Sequence, residues 1–277
     1  MDLVAWLIEA FWGRTDGCGV LGLCGAQGSG KSTLARRLCR GIEARGRSCV
    51  ILSIDDLYLT RSERERLART IHPLLLTRGP PGTHDVELGM RLLDRLVLEG
   101  PVEIPRFDKA RDDRFPPCAW DLVQAPVDVI LFEGWCVGAT PQGGRDLIWP
   151  INALEASEDT DGRWRRFVNE ALAGDYQRLF GRIDMLVLLA APGFEVVPAW
   201  RREQEEALRL GEGRGGTHLL GAGAVERFTR FYERLTRHIL ATMPKRADIV
   251  VRLDERRTVL AIEEPRSEGP RQGRAGR

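Results

Sequence analysis

Eight consecutive residues, Gly25-Ala26-Gln27-Gly28-Ser29-Gly30-Lys31-Ser32, fit the pattern G-x-x-x-x-G-K-[ST], and a bound triphosphate gives each of them a task. The glycines let backbone N–H groups turn inward around a β-phosphate. Lys31 then reaches the β and γ oxygens, the Ser32 hydroxyl ligates Mg²⁺, and Thr33 approaches the α-phosphate. The pattern carries this meaning only where a strand enters it and a helix leaves it. Here GVLGLCG precedes it as an apolar strand. SGKSTLARRLCRGIEARG follows as a helix, with Leu34, Leu38 and Ile42 on one face and Gly46 closing it. A glycine-rich turn that matches by chance lacks that frame.

A triphosphate site serves a GTPase, a motor or a kinase, and acidic residues help to separate them. No [NT]-K-x-D tetrapeptide is present to read a guanine. At the end of a second strand, CVILSID, the run Ser53-Ile54-Asp55-Asp56-Leu57-Tyr58 puts carboxylates where a γ-phosphate would face them. An ionised aspartate there can accept the proton of an attacking hydroxyl. Asp55 is the preferred base over Asp56, although either could instead cap a turn or helix. The strand VDVILFEG ends in Glu133, the second acid expected near the metal, holding Mg²⁺ through water. The alternative for Glu133 is an exposed residue at a strand end.

These residues need a sheet edge to hold them. IDMLVLLAA and ADIVVRLD read as further strands, and VVPAWRREQEEALRL and AVERFTRFYERLTRHIL as amphipathic helices. DVELGMRLLDRLVLEG is a helix launched at Asp85, with Val86, Met90, Leu93 and Val97 at helical spacing before Gly100. PVEIPRFDKARDDRFPPCAW is polar and proline-rich, and reads as a surface loop over a site. TRSERERLART is a charged stretch of no assigned form. The long connection from Gly138 to Gly181 holds one helix, DGRWRRFVNEALAG, and GEGRGGTHLLGAG is a glycine-dense loop expected to be mobile. Strands alternating with helices indicate an α/β fold, a mostly parallel sheet covered on both faces.

Composition narrows the partners. The 277 residues carry a formal charge of +1, so neither nucleic acid nor an anionic membrane is expected as a partner. The first residues, MDLVAWLIEAFWGR, include Asp2 and Glu9 and form an amphipathic helix rather than a signal peptide. Six cysteines without a C-x-x-C pair read as reduced thiols of a cytoplasmic protein. His72, His218 and His238 have no ligand-like spacing and are given no metal role, while Trp135 and Trp200 are assigned to core or pocket wall.

In this order the motifs SIDDLYLT, GPPGTHD, PRFDKARDDR, VILFEGW and AWRREQE resemble the D-glycerate 3-kinase-like family. That family lies within the phosphoribulokinase, uridine kinase and pantothenate kinase group of P-loop kinases. PINALE, EDTDGRWRRFVNEALAGDYQRLF and IDMLVLLAAP are similar to its bacterial branch, so the likeness runs from about Val20 to Asp254. It implies a P-loop NTPase three-layer fold, with a five-stranded parallel sheet, ATP on the phosphate loop and the acceptor held by inserted loops.

By the same resemblance Asp55 is the base, with Leu57 standing where the group carries an aromatic. Asp85 holds acceptor hydroxyls, beside Thr83 and His84, and could cap its helix as well. Asp56 and Tyr58 join the acceptor site. So does the charged loop of Arg106, Asp108, Lys109, Arg111 and Arg114, whose cations suit a carboxylate; a solvated charged loop is the alternative. Arg201 and Arg202 take the place of lid arginines that close over the γ-phosphate.

The expectation is therefore a Mg·ATP-dependent kinase acting on a small hydroxyl-bearing molecule, D-glycerate being the leading acceptor, working as a monomer or homodimer. A kinase for a nucleoside, pantothenate or a sugar phosphate, and a nucleotide-dependent regulatory protein, are the alternatives. Residues 1–18 are assigned to the N-terminal helix, 19–262 to a kinase domain with substrate-loop and lid insertions, and 263–277 to a disordered tail.

Overall fold

The computed structural model describes residues 2–15, 18–211 and 222–264. Helix α1 (Leu3–Trp12), capped by Asp2, leads to strand β1 (Gly19–Gly25), helix α2 (Lys31–Glu43) and strand β2 (Cys49–Ser53). A 3₁₀ turn, Ile54–Leu57, precedes α3 (Arg61–Thr70) and α4 (Val86–Arg95). Four short strands follow: β3 (Gly100–Ile104), β4 (Phe107–Asp108), β5 (Asp113–Arg114) and β6 (Asp121–Ala125). After β7 (Val129–Gly134) come three helices, α5 (Ala153–Glu158), α6 (Arg163–Ala173) and α7 (Asp175–Phe180). Strand β8 (Met185–Ala190), helices α8 (Val197–Gly211) and α9 (Ala222–Thr242), and strands β9 (Ile249–Leu253) and β10 (Val259–Glu263) complete the series.

The main sheet has the order β10-β9-β8-β1-β7-β2. Its five expected strands are parallel, and β10 adds an antiparallel edge that the sequence had not suggested. Every residue of β1, β7 and β8 is buried, because helices cover both faces of the central strands. Alternate side chains feed two cores. Leu21 and Leu23 meet α1 and α2 through Leu7, Phe11, Leu34 and Leu38 on one face. Val20 and Cys24 meet α4, α7 and α9 through Leu93, Leu179 and Tyr232 on the other.

Register sets the working edge. Cys24 pairs with Gly134, and Glu133 with Ser53, so the C-terminal ends of β1, β7 and β2 lie side by side. In an open parallel sheet this is the edge that ligands use.

Several segments depart from the sequence reading. TRSERERLART contains helix α3, whose one buried residue is Arg64. The proline-rich stretch is not a plain loop: β3 and β6 form an antiparallel ladder that encloses the small β4–β5 ladder. The connection after β7 holds two helices, α5 and α7, besides the expected α6. Residues 212–221 of the glycine-dense loop lie outside the described residues. So does the tail from residue 265, while Glu263, where the tail was expected to begin, still belongs to β10. None of the six cysteines is in a disulfide. No helix among the described residues is long and apolar enough to cross a membrane.

Candidate active site

Gly25 ends β1 and Lys31 begins α2, and the turn between them passes through the left-handed region at Gly28 and Gly30, with φ of 75° and 89°. Gly30 caps α2 without a side-chain bond, leaving the N–H groups of its first turn to meet an anion. A side chain at Gly28 is excluded twice, by that φ and by Trp200 of α8, whose Cβ would lie 2.6 Å from an added Cβ. Arg257, in the turn between β9 and β10, holds the loop from outside. Its Nε donates to the Gly28 carbonyl at 2.6 Å, its guanidinium lies over the Trp200 ring, and it pairs with Glu203 of α8 at 2.7 Å. Nothing in the local sequence marks Arg257 for this position.

In the first turn of α2, the Ser32 hydroxyl donates to Glu133 Oε1 at 2.9 Å. Glu133 is buried, and its other oxygen, Oε2, has no partner among the described residues. Across the strand ends stands Asp55. Tyr58 donates to its Oδ1 at 2.7 Å, and the Lys109 ammonium lies 2.7 Å from Oδ2. Burial alone would raise the Asp55 pKa, but the charges of Lys109 and Lys31 and the two hydrogen bonds outweigh it. They hold the carboxyl well below its ordinary range. The same pairing raises the pKa of Lys109. Asp56 has a different setting: Oδ2 takes Arg106 at 2.9 Å and Oδ1 takes the N–H of Phe107 at 3.1 Å. Burial raises its pKa. Both of its oxygens are spent on fastening the β3–β6 region to the strand end.

Asp85 accepts the N–H of Leu88 at 2.9 Å as N-cap of α4, and its second oxygen lies 3.5 Å from Arg114. Arg114 also donates to the Tyr58 carbonyl at 2.8 Å. Thr83 is fully buried and does not line a wall. Its hydroxyl donates to Pro80 O and accepts from Gly79 N, stapling the loop to itself. Asp108 shapes the β4–β5 turn by accepting the N–H groups of Ala110 and Arg111, which carries Lys109 to the turn's tip. Arg111 is exposed.

Three residues near Asp55 were not identified from sequence. Arg78 pairs closely with Asp112, faces the ring of Phe107, and its charge is felt by Tyr58 and Lys109. Tyr232 of α9 donates to the Arg78 carbonyl at 3.0 Å, and Gly79, at φ 122°, leaves room for that hydroxyl. Tyr176 of α7 accepts from Gly82 N at 3.0 Å and contacts His84. Each comes from an element remote in sequence, so only the fold reveals it.

The two expected lid arginines diverge. Arg201 pairs with Glu205, lies over Phe228, and is close enough to Lys109 for its charge to lower the lysine's affinity for a proton. Arg202 is exposed. Trp135 and Trp200 are buried, Trp135 donating to Gly79 O and Trp200 to Glu255 O. Away from this region His72 lies near Asp159 and Asp161. Asp159 is already engaged, accepting the N–H of Trp164 and the side chain of Arg165. His218 lies outside the described residues.

Among the described residues, the buried side-chain atoms without a partner are Gln27 Oε1, Ser29 Oγ, His84 Nε2, Arg114 Nε, Glu133 Oε2, Trp164 Nε1, Arg201 Nε and His238 Nε2. All but Trp164 and His238 belong to the phosphate loop, the strand ends or the wall around Asp55. Buried polar groups are normally paired, so such a concentration marks a place where a ligand supplies the partners.

No protein-family profile matches the chain. It is 36% identical over 205 residues to the uncharacterized kinase mug58 of Schizosaccharomyces pombe, a match covering 69% of this chain and 71% of that one. It is 30% identical over 200 residues to the chloroplastic D-glycerate 3-kinase of Arabidopsis thaliana, covering 69% of this chain and 41% of the plant protein. In structure it is similar to D-glycerate 3-kinase from Cryptococcus neoformans var. grubii, with a TM-score of 0.75 over 94% of this chain and 96% of that one. The sequence identity there is 23%, so that likeness bears on the fold.

Proposed function

The chain belongs to the D-glycerate 3-kinase-like family of P-loop kinases, phosphotransferases with an alcohol group as acceptor, and from that premise we propose that it phosphorylates D-glycerate to 3-phosphoglycerate. ATP is the phosphoryl donor. The observation that carries the reading is the setting of Asp55: an ionised carboxylate beside the phosphate-loop lysine and paired with Lys109, with Arg78 near enough for its charge to reach Lys109, and Arg114 on the Tyr58 carbonyl. Lys109, Arg78 and Arg114 each already have a carboxylate of the protein beside them, Asp55, Asp112 and Asp85 in turn, and each keeps N–H donors for a second one. A small hydroxy acid brings a carboxylate to them and a hydroxyl to Asp55.

The acceptor oxygen attacks the γ-phosphorus, the bond from that phosphorus to the bridging oxygen of ADP breaks, and the hydroxyl proton passes to Asp55. A carboxylate of depressed pKa is a weak base. It suffices because phosphoryl transfer is largely dissociative and the proton leaves late, so the greater need is to orient the oxygen. Lys31 and the N–H groups at the start of α2 gather the phosphate charge, and Arg201, whose charge reaches Lys109, is assigned to join them. Ser32 and Glu133, with its unpaired buried oxygen, form a hard oxygen donor set that fits Mg²⁺. When bound, that ion neutralises charge between the phosphates. Residues 19–262 carry the reaction in this reading, and six cysteines outside any disulfide suit the cytoplasm.

The test is ADP release with Mg·ATP against D-glycerate, L-glycerate, pantothenate, uridine and ribulose 5-phosphate, with products identified by mass. Phosphoglycerate from the D-isomer alone is expected. Faster turnover of another acceptor replaces glycerate. ATP loss with no phosphorylated acceptor points instead to a regulatory ATPase.

A further inference from the structure

His84 and Tyr176 meet across 92 residues of sequence, with Nδ1 of the imidazole 2.6 Å from the phenol oxygen. That oxygen already accepts the N–H of Gly82 at 3.0 Å. A phenol has one hydrogen to donate. Among the described residues its acceptor is Nδ1, so the arrangement that uses the phenol hydrogen leaves Nδ1 unprotonated and puts the ring hydrogen on Nε2. Burial lowers the His84 pKa from 6.5 to about 4, and the ring is neutral at pH 7. In that form Nε2 is a buried N–H donor, and among the described residues it has no partner. An unmade bond of this kind is destabilising, and a native fold tolerates it where a ligand supplies the missing atom.

The ring is held beside the reacting edge. It stacks on Tyr58 with centroids 4.7 Å apart, and the Tyr58 hydroxyl is the group that donates to Asp55. The backbones of Tyr58 and His84 form an antiparallel bridge, and the next residue, Asp85, caps α4. The charge of Asp55 is felt at the ring. Tyr176 itself is anchored in the larger core.

We propose that Tyr176 fixes His84 as the Nε2–H tautomer, and that this nitrogen donates a hydrogen bond to a carboxylate oxygen of the acceptor, selecting hydroxy acids over uncharged alcohols. The inference rests on the small-molecule kinase reading and adds a specificity residue, His84, and a positioning residue, Tyr176. A neutral donor of fixed orientation discriminates by geometry, because an acceptor lacking the matching oxygen leaves the N–H buried and unpaired.

The test pairs two substitutions in the whole protein. In His84→Gln the amide nitrogen reaches the place of Nε2, and in His84→Asn it reaches only that of Nδ1. His84→Gln should keep kcat/KM for D-glycerate within about fivefold, and His84→Asn should lose about 100-fold, with KM for ATP unchanged in both. Tyr176→Phe should lose about tenfold in the same quantity, the size of one lost hydrogen bond. Equal losses in the Gln and Asn variants, or an equal shift in KM for ATP, overturn the proposal.

A long-range ¹H–¹⁵N correlation spectrum reads the tautomer without any turnover. The hydrogen should be on Nε2 in the wild type, and hydrogen on Nδ1 refutes the assignment. If the wild type phosphorylates nothing on the acceptor panel, the reading of the reaction falls, but the His84 signal still decides this point. A resonance that moves on adding D-glycerate supports the contact, and one that stays fixed refutes it.

Discussion

The two halves of the candidate site are built in different ways. The nucleotide half is made largely of backbone from one unbroken stretch, Gly25 to Thr33, with Glu133 behind it. The acceptor half is made of side chains from separate places: Asp55, Arg78, His84, Lys109, Tyr176 and Tyr232. A backbone cradle needs glycines at fixed offsets, so it leaves a signature in sequence. A side-chain pocket needs only that the fold converge, and its members are scattered through the chain.

If the division is sound, the halves should fail separately. Lys31→Ala strikes the half that every turnover needs, and transfer should fall by at least about 1,000-fold with any acceptor in an ADP-release assay. Asp55→Asn should leave ATP binding intact by calorimetry and cost about 100- to 10,000-fold in kcat, since it removes the charged group that orients the acceptor oxygen and takes its proton. A variant that turns over at the wild-type rate would remove Asp55 from that role and end the comparison.

The smallest effect concerns acid. The folded pKa of His84, about 4, lies below its ordinary 6.5, so between those values the unfolded chain binds more protons. The stability that His84 contributes is complete above pH 6.5 and is lost as pH falls towards 4, up to about 3 kcal/mol. The shift at Asp55 is also downward, so its contribution is present above the ordinary carboxylate pKa and is lost only in stronger acid. Hydrogen exchange at pH 7 and pH 4.5 should therefore show protection lost first around Thr83 to Asp85, with β1 and α2 holding. His84→Gln should remove the difference.

The legible parts share a physical cause. Apolar runs in β1, β7 and β8 and the spaced leucines of α2 advertise burial directly. Helix α3 does not, because the residue it buries is Arg64, whose guanidinium bonds the carbonyls of Leu59, Leu76 and Asp112. Its one readable signal was the Thr60 to Glu63 spacing, which forms a capping box. The β3 strand was hidden by prolines, although Val102 and Ile104 alternate inward as a half-buried strand requires. Asp55 and Asp56 were adjacent and indistinguishable by type. Their separation came from partners, Lys109 and Tyr58 for one, Arg106 and the backbone of Phe107 for the other.

The position of β1 in the sheet bears on how the chain is made. This strand of seven buried residues is finished by Gly25, yet its neighbours are Val129–Gly134 and Met185–Ala190. At translation rates of roughly 5–20 residues per second, the central strand waits about 5–20 s for its first partner. During that time GVLGLCG is an apolar, unpaired segment on the ribosome, with α1 and α2 available to cover one side and, of the helices named for the other side, α4 alone. Pairings this distant also fold slowly in isolation. Yield of the soluble protein should depend on growth temperature and on chaperones that shield nascent apolar segments more than on the final stability of the sheet.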